Sequence, residues 1–99
     1  MKTYRLIKIT RSDKPDKKMA ATFENLLTKR TKVVHFGKAH MSDYTLHKDP
    51  ERKKRYIIRH RKNENWNDPV TAGALSRWVL WNKPDLKESI SDYKKRFFS

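Results

Sequence analysis

Met19-Ala20-Ala21-Thr22-Phe23-Glu24 places Met19, Ala21 and Phe23 on one side of an extended chain and Ala20, Thr22 and Glu24 on the other. A period of two is the pattern of a half-buried β-strand. Lys32-Val33-Val34-His35-Phe36 reads the same way and stops at Gly37. The intervening residues 25–31 supply the turn of a hairpin. Upstream, Thr3-Tyr4-Arg5-Leu6-Ile7-Lys8-Ile9-Thr10 is rich in β-branched and aromatic residues. It runs into Arg11-Ser12-Asp13-Lys14-Pro15-Asp16, a turn-forming cluster. The three segments predict a small antiparallel meander over residues 3–36.

Beyond Gly37 the pattern changes to helix. Asp49-Pro50-Glu51 combines an N-cap, a proline at the first helical position and an acid in the first turn, predicting a helix to about Arg61. Asp68-Pro69 repeats the device for a helix from Val70 to about Trp81. A third helix follows Asn82-Lys83-Pro84-Asp85, its apolar stripe formed by Leu86, Ile90, Tyr93 and Phe97. Residues 12–18 and 38–47 read as loops. Strands followed by helices make an α+β fold: a three-stranded antiparallel meander, then three helices over residues 50–98. All of it fits one domain spanning residues 1–99.

The chain has 99 residues, 35% of them apolar and 36% charged, a balance that leans toward disorder. Three Trp, four Tyr and four Phe argue instead for a folded domain with a thin core. Twenty-five Lys and Arg against eleven Asp and Glu leave a net charge of +14. Such an excess attracts nucleic acid, anionic membranes or acidic proteins. Without cysteine there is no disulfide framework and no thiolate metal site, which fits a reducing compartment. No apolar run approaches the roughly 18 residues that cross a bilayer, so no membrane insertion is expected. Met1-Lys2-Thr3-Tyr4-Arg5 lacks the apolar stretch of a secretory signal. The expectation is a soluble protein inside a cell or a particle.

Leu46 to Lys62 carries eight Lys or Arg against two acids. At 100° per residue Arg52, Arg55, Arg59 and Lys62 share about one quadrant of a helix. Tyr56, Ile57 and His60 are placed on the side facing the sheet or the other helices. Guanidinium groups bind phosphate oxygens in pairs, so this stripe can track a nucleic-acid backbone. The plainer reading is a solvated helix face. Lys54 and Arg61 on the same segment, and Lys94, Lys95 and Arg96 near the C-terminus, extend the candidate set. No recognition-helix or zinc-finger pattern accompanies them, which points to backbone contact without base readout.

Trp66, Trp78 and Trp81 could stack on bases, but Trp78 reads as core, Trp81 as core or rim, and Trp66 as packing against a helix. Nothing in the chain builds a catalytic constellation. Its two glycines form no phosphate loop, and Asp49 and Asp68 read as helix caps. His35, His40, His47 and His60 lack metal-ligand spacing, although His40 and His47 flank Asp43. A binding protein is expected, without cofactor, metal or small-molecule substrate.

His35-Phe36-Gly37, Met41-Ser42-Asp43-Tyr44-Thr45 and His47-Lys48-Asp49 resemble a family of small basic proteins encoded by nucleocytoplasmic large DNA viruses, such as phycodnaviruses and marseillevirus or mimivirus relatives. So do Asn65-Trp66-Asn67-Asp68-Pro69, Thr71-Ala72-Gly73-Ala74-Leu75-Ser76-Arg77-Trp78 and Leu80-Trp81-Asn82-Lys83-Pro84. The resemblance covers nearly the whole chain. It implies a virion, or the host cytoplasm or nucleus during infection. The implied partners are double-stranded DNA or capsid and core proteins, and the implied roles are genome packaging or a minor capsid component.

Overall fold

The computed structural model describes residues 3–98. Three strands, β1 (Tyr4–Arg11), β2 (Lys17–Asn25) and β3 (Thr31–Lys38), form one antiparallel sheet in the order β1-β2-β3. Phe23 pairs with Leu6, Ala21 lies between Ile9 and Val34, and Met19 pairs with Phe36, so the expected alternation builds one apolar face. A bulge between Leu6 and Lys8 leaves Ile7 outside this register and exposed. Asn25 makes the hairpin turn: its side-chain oxygen accepts from the Leu27 and Thr28 N–H groups at 2.9 and 3.1 Å. The strands run past residue 36 because Lys17 and Lys38 still pair through their backbones, which an apolar period cannot reveal.

Four helical segments follow where three were expected. The addition is α1 (Tyr44–His47), inside the stretch read as a loop. It is too short to carry a period. Its cap, Asp43, is buried and accepts from the Thr45 N–H at 2.9 Å, while Lys18 of β2 neutralises it. Helix α2 (Pro50–His60) starts as expected: the Asp49 carboxylate accepts from the Glu51 N–H at 3.0 Å and proline occupies the first turn. It ends at His60, so Arg61 and Lys62 lie in the succeeding turn.

Helix α3 (Ala72–Leu75) begins two residues later than Asp68-Pro69 implied and continues as a π-helical segment, Ser76–Leu80. Thr71 caps it, accepting from the Ala74 N–H at 3.2 Å. Asp68 instead closes a turn by accepting from the Val70 N–H. Pro69 is buried there, and its carbonyl accepts from the Tyr93 hydroxyl. The Trp81 N–H reaches back five residues to the Ser76 carbonyl, which defines the π turn. Helix α4 (Leu86–Phe98) matches its expected stripe: Tyr93 is fully buried, and Leu86, Ile90 and Phe97 pack around the core.

α3 lies against β3, and α4 runs beside the π segment and reaches β1. Ala21, Phe23 and Phe36 thereby meet Val70, Leu75, Val79, Leu80 and Tyr93 in one core. Phe97 packs on Tyr93 at 5.5 Å and Phe98 on Phe23 at 5.8 Å, so the C-terminal phenylalanines close the core. Gly37, at φ +77°, sits where a Cβ would lie 2.6 Å from Leu80 Cδ1, so β3 needs glycine there for conformation and for space. A cavity of about 370 Å³ separates this end of the sheet, at Lys17, Gly37 and Lys38, from Tyr56 and His60 of α2.

Candidate nucleic-acid interface

The basic helix α2 is held at a distance from the sheet, and the segment from Trp81 to Pro84 supplies its seat. Tyr56 stacks on Trp81 with parallel rings 4.3 Å apart. On its other neighbours it meets His60 at 4.4 Å and Trp66 at 6.5 Å. The Lys53 ammonium donates to the Asn82 carbonyl at 2.7 Å and lies 5.0 Å from the Tyr44 ring centre. From α1, His47 packs on Trp81 at 5.3 Å, and Lys48 donates to the Pro84 carbonyl at 2.7 Å. Lys53, Tyr56 and His60 follow i, i+3, i+7, so they form the inward face of α2.

That face keeps Tyr56 and His60 of the expected one and exchanges Ile57 for Lys53. Ile57 is only half-buried and lines an open groove, and Ile58 is exposed, whereas Lys53 turns inward. An ammonium is tolerated there because the Asn82 carbonyl and the face of the Tyr44 ring replace part of its water. Burial lowers the Lys53 pKa, and the Arg77 and Lys83 charges add to the effect.

Arg52, Lys54, Arg55, Arg59, Arg61 and Lys62 are all exposed. Among the described residues none of them has a carboxylate within ion-pair distance. Arg52, Arg55, Arg59 and Lys62 keep one edge of the helix and its following turn. Lys54 and Arg61 stand roughly 100° further round, beside Ile57 and Ile58. The structure thus divides the six cations between two faces.

The C-terminal cations are placed differently. Lys94, Lys95 and Arg96 are exposed on α4. Arg96 lies 4.0 Å over the Trp78 ring and donates to Asp92 at 3.3 Å. Arg77 lies over the same ring at 4.3 Å and over Trp66 at 5.5 Å, and donates to the Trp81 carbonyl at 3.0 Å. A chain of ring and guanidinium contacts therefore runs from Tyr56 through Trp66, Arg77 and Trp78 to Arg96. No spacing in the sequence announced it, because its members come from α2, the 61–71 connection, the π segment and α4. The three tryptophans are half-buried in this packing. Trp66 donates to Glu64 at 2.8 Å, and Trp78 donates to the Trp66 carbonyl at 3.0 Å.

Asp92 and His47, near the seat, are shifted as well. Burial opposes ionisation of Asp92, but hydrogen bonds from Asn82 and Arg96 and the charges of Arg96 and Lys83 outweigh it, and its pKa falls. His47 is also lowered, by burial first and by Arg52 next, against Asp49 and Asp43. Its Nδ1 accepts from the Asp49 N–H at 2.9 Å, which places the ring proton on Nε2. The other sequence candidates are scattered: His35 meets Ser12 at 2.7 Å, and His40 is exposed at φ +67°. Among the described residues no cluster of His, Asp or Glu has the arrangement of a metal site.

A family model matches residues 7–60, from β1 through the last residue of α2. The chain belongs to this family of unknown function (DUF5754). The matched segment contains β1 from Ile7 onward, β2, β3, α1 and α2 with Arg52, Arg55 and Arg59. Trp81, on which α2 is seated, lies outside it. No curated protein and no solved structure matches the chain.

Proposed function

We propose that this DUF5754 protein binds nucleic acid through the phosphate backbone, with low sequence specificity and with duplex DNA as its main partner. The observation that carries the reading is the run from Arg52 to Lys62. It holds seven Lys or Arg and no Asp or Glu, and six of the seven are exposed without an ion-pair partner among the described residues. A solvated helix face would ordinarily mix signs to limit self-repulsion. Here like charges stand together, and a polyanion would relieve their repulsion beyond what salt screens.

The dimensions suit a duplex. The helix rises about 12 Å from Arg52 to His60 and Lys62 follows in the next turn, a span over which one DNA strand presents about four phosphates. Arg52, Arg55, Arg59 and Lys62 match that number. Seating α2 on Trp81 through Tyr56 and Lys53 reduces the ordering that binding would otherwise require. The protein acts by binding and not by catalysis. The likeness of its sequence to basic proteins of large DNA viruses supports a place on a packaged genome, in the virion or the infected cell.

A second reading, a minor capsid or scaffold protein with acidic neighbours, draws on a different observation. Met41, Leu46 and Ile58 are 57%, 65% and 51% exposed, and backbone phosphates do not cover such groups.

The deciding experiment is binding of the purified protein to several unrelated duplexes across a salt series, with heparin beside them. Micromolar or tighter binding at physiological salt, alike for all sequences and steeply salt-dependent, is the expected result. Equal affinity for heparin reduces the reading to general polyanion binding. Absence of duplex binding at physiological salt overturns it and leaves the capsid reading.

A further inference from the structure

α1 and α2 enclose a groove of about 510 Å³ on the face of α2 turned away from the phosphate stripe. It is lined by the apolar groups of Tyr44, Pro50, Ile57 and Ile58 and by Lys53, Lys54 and Arg61, of which Lys54 and Arg61 are exposed. Four apolar side chains and three cations line it, and no acid does. Ile58 is half exposed at the surface of an otherwise polar helix, and Leu46 of α1 is more exposed still. Neither residue is required by the core, which the sheet, the 70–80 segment and α4 complete without them.

We propose that this groove docks an acidic segment of another protein that inserts one or two large aliphatic or aromatic side chains between α1 and α2. Charge complementarity selects the occupant. The exposed cations Lys54 and Arg61 ask for carboxylates, while Ile57 and Ile58 ask for an apolar anchor, a pairing typical of helices and peptides that enter grooves. Nucleic acid satisfies only half of it, because phosphate gains nothing from covering Ile57 and Ile58. A bilayer surface fits less well, since a groove receives projecting side chains and here projects few of its own. The wall is also preformed: Lys53 is fixed between the Asn82 carbonyl and the Tyr44 ring, so the groove does not have to be built on binding. The site uses Lys54 and Arg61, and leaves Arg52, Arg55, Arg59 and Lys62 free for phosphate.

The test measures fluorescence anisotropy with three labelled 15-residue peptides against the whole protein. One carries leucines at helical spacing among Asp and Glu. In the second the leucines are serines, and in the third the acids are Asn and Gln. The first is expected to bind about tenfold or more tighter than either control, the scale of burying one aliphatic side chain. Ile58→Asp, an exposed change that leaves the circular dichroism spectrum intact, is expected to remove that advantage. A variant with Arg52, Arg55, Arg59 and Lys62 replaced by Gln is expected to keep it, which separates this site from the phosphate stripe. Equal binding of the serine peptide, or indifference to Ile58→Asp, overturns the proposal. So does Ile58-dependent binding to phosphatidylserine vesicles without binding of the leucine peptide.

Discussion

Replacing Arg52, Arg55, Arg59 and Lys62 together by glutamine isolates the stripe from the rest of the charge. All four are exposed and lack a carboxylate partner among the described residues, so their neutralisation strands no buried acid. Net charge falls by four, from +14 to +10. Each exposed substitution is worth no more than about 0.5 kcal/mol to folding, and relief of repulsion among the four works in the stabilising direction. Binding should respond far more. If each side chain displaces one counterion, the slope of log K against log salt becomes shallower by about 3.6. Between about 50 and 200 mM salt, the wild-type affinity then falls roughly 150-fold further than that of the variant. A charge-matched control replaces Lys8, Lys14, Lys29 and Arg30, on β1 and the two hairpin turns, by glutamine. Fluorescence anisotropy with one duplex at several salt concentrations reads both variants. If the control flattens the slope as much as the stripe does, net charge binds DNA and the α2 geometry is irrelevant. An unchanged slope in the stripe variant refutes the interface outright.

Tyr56→Ala should cost about 3–5 kcal/mol of the packing around α2, since it removes a buried ring stacked on Trp81. Hydrogen exchange should show the loss in α2 well before the sheet. Gly37→Ala should destabilise the fold by about 2–4 kcal/mol in urea unfolding, because φ +77° disfavours a side chain and Leu80 Cδ1 fills its place. Lys18→Met leaves the Asp43 carboxylate buried without its cation and should cost about 3 kcal/mol, read from the same unfolding curves. His47 has a folded-state pKa below its ordinary 6.5, so the unfolded chain takes up a proton first. Its contribution is complete above that value and is lost as pH falls below it. His47→Asn, which keeps an acceptor for the Asp49 N–H, should flatten this part of the stability–pH profile.

The three strands were legible because alternation reports one buried sheet face, and Met19, Ala21 and Phe23 supply it. α4 was legible because Leu86, Ile90, Tyr93 and Phe97 all turn to the core. α2 was legible at its start, where Asp49 and Pro50 act locally. Its orientation was legible in part: Tyr56 and His60 turn inward as expected, whereas Ile57 lines an open groove and Lys53 turns inward in its place. α1 escaped notice because its cap depends on Lys18, twenty-five residues away. Asp68-Pro69 misled for a related reason: the Tyr93 hydroxyl captures the Pro69 carbonyl and holds a turn where a helix would have started.

Charge, fold class and the candidate cations are properties that residue types and short spacings carry, so the sequence by itself determined them. Which side of α2 faces inward is a property of contacts between distant segments. Trp81 decided it by receiving both Tyr56 and His47, which leaves the Arg52, Arg55 and Arg59 edge exposed. The same folding laid Arg77 and Arg96 over Trp78 and opened the groove between α1 and α2. Ring stacking, carbonyl capture by lysine and the meeting of two helix faces act between residues far apart in the chain, and only the tertiary structure brings those residues within reach.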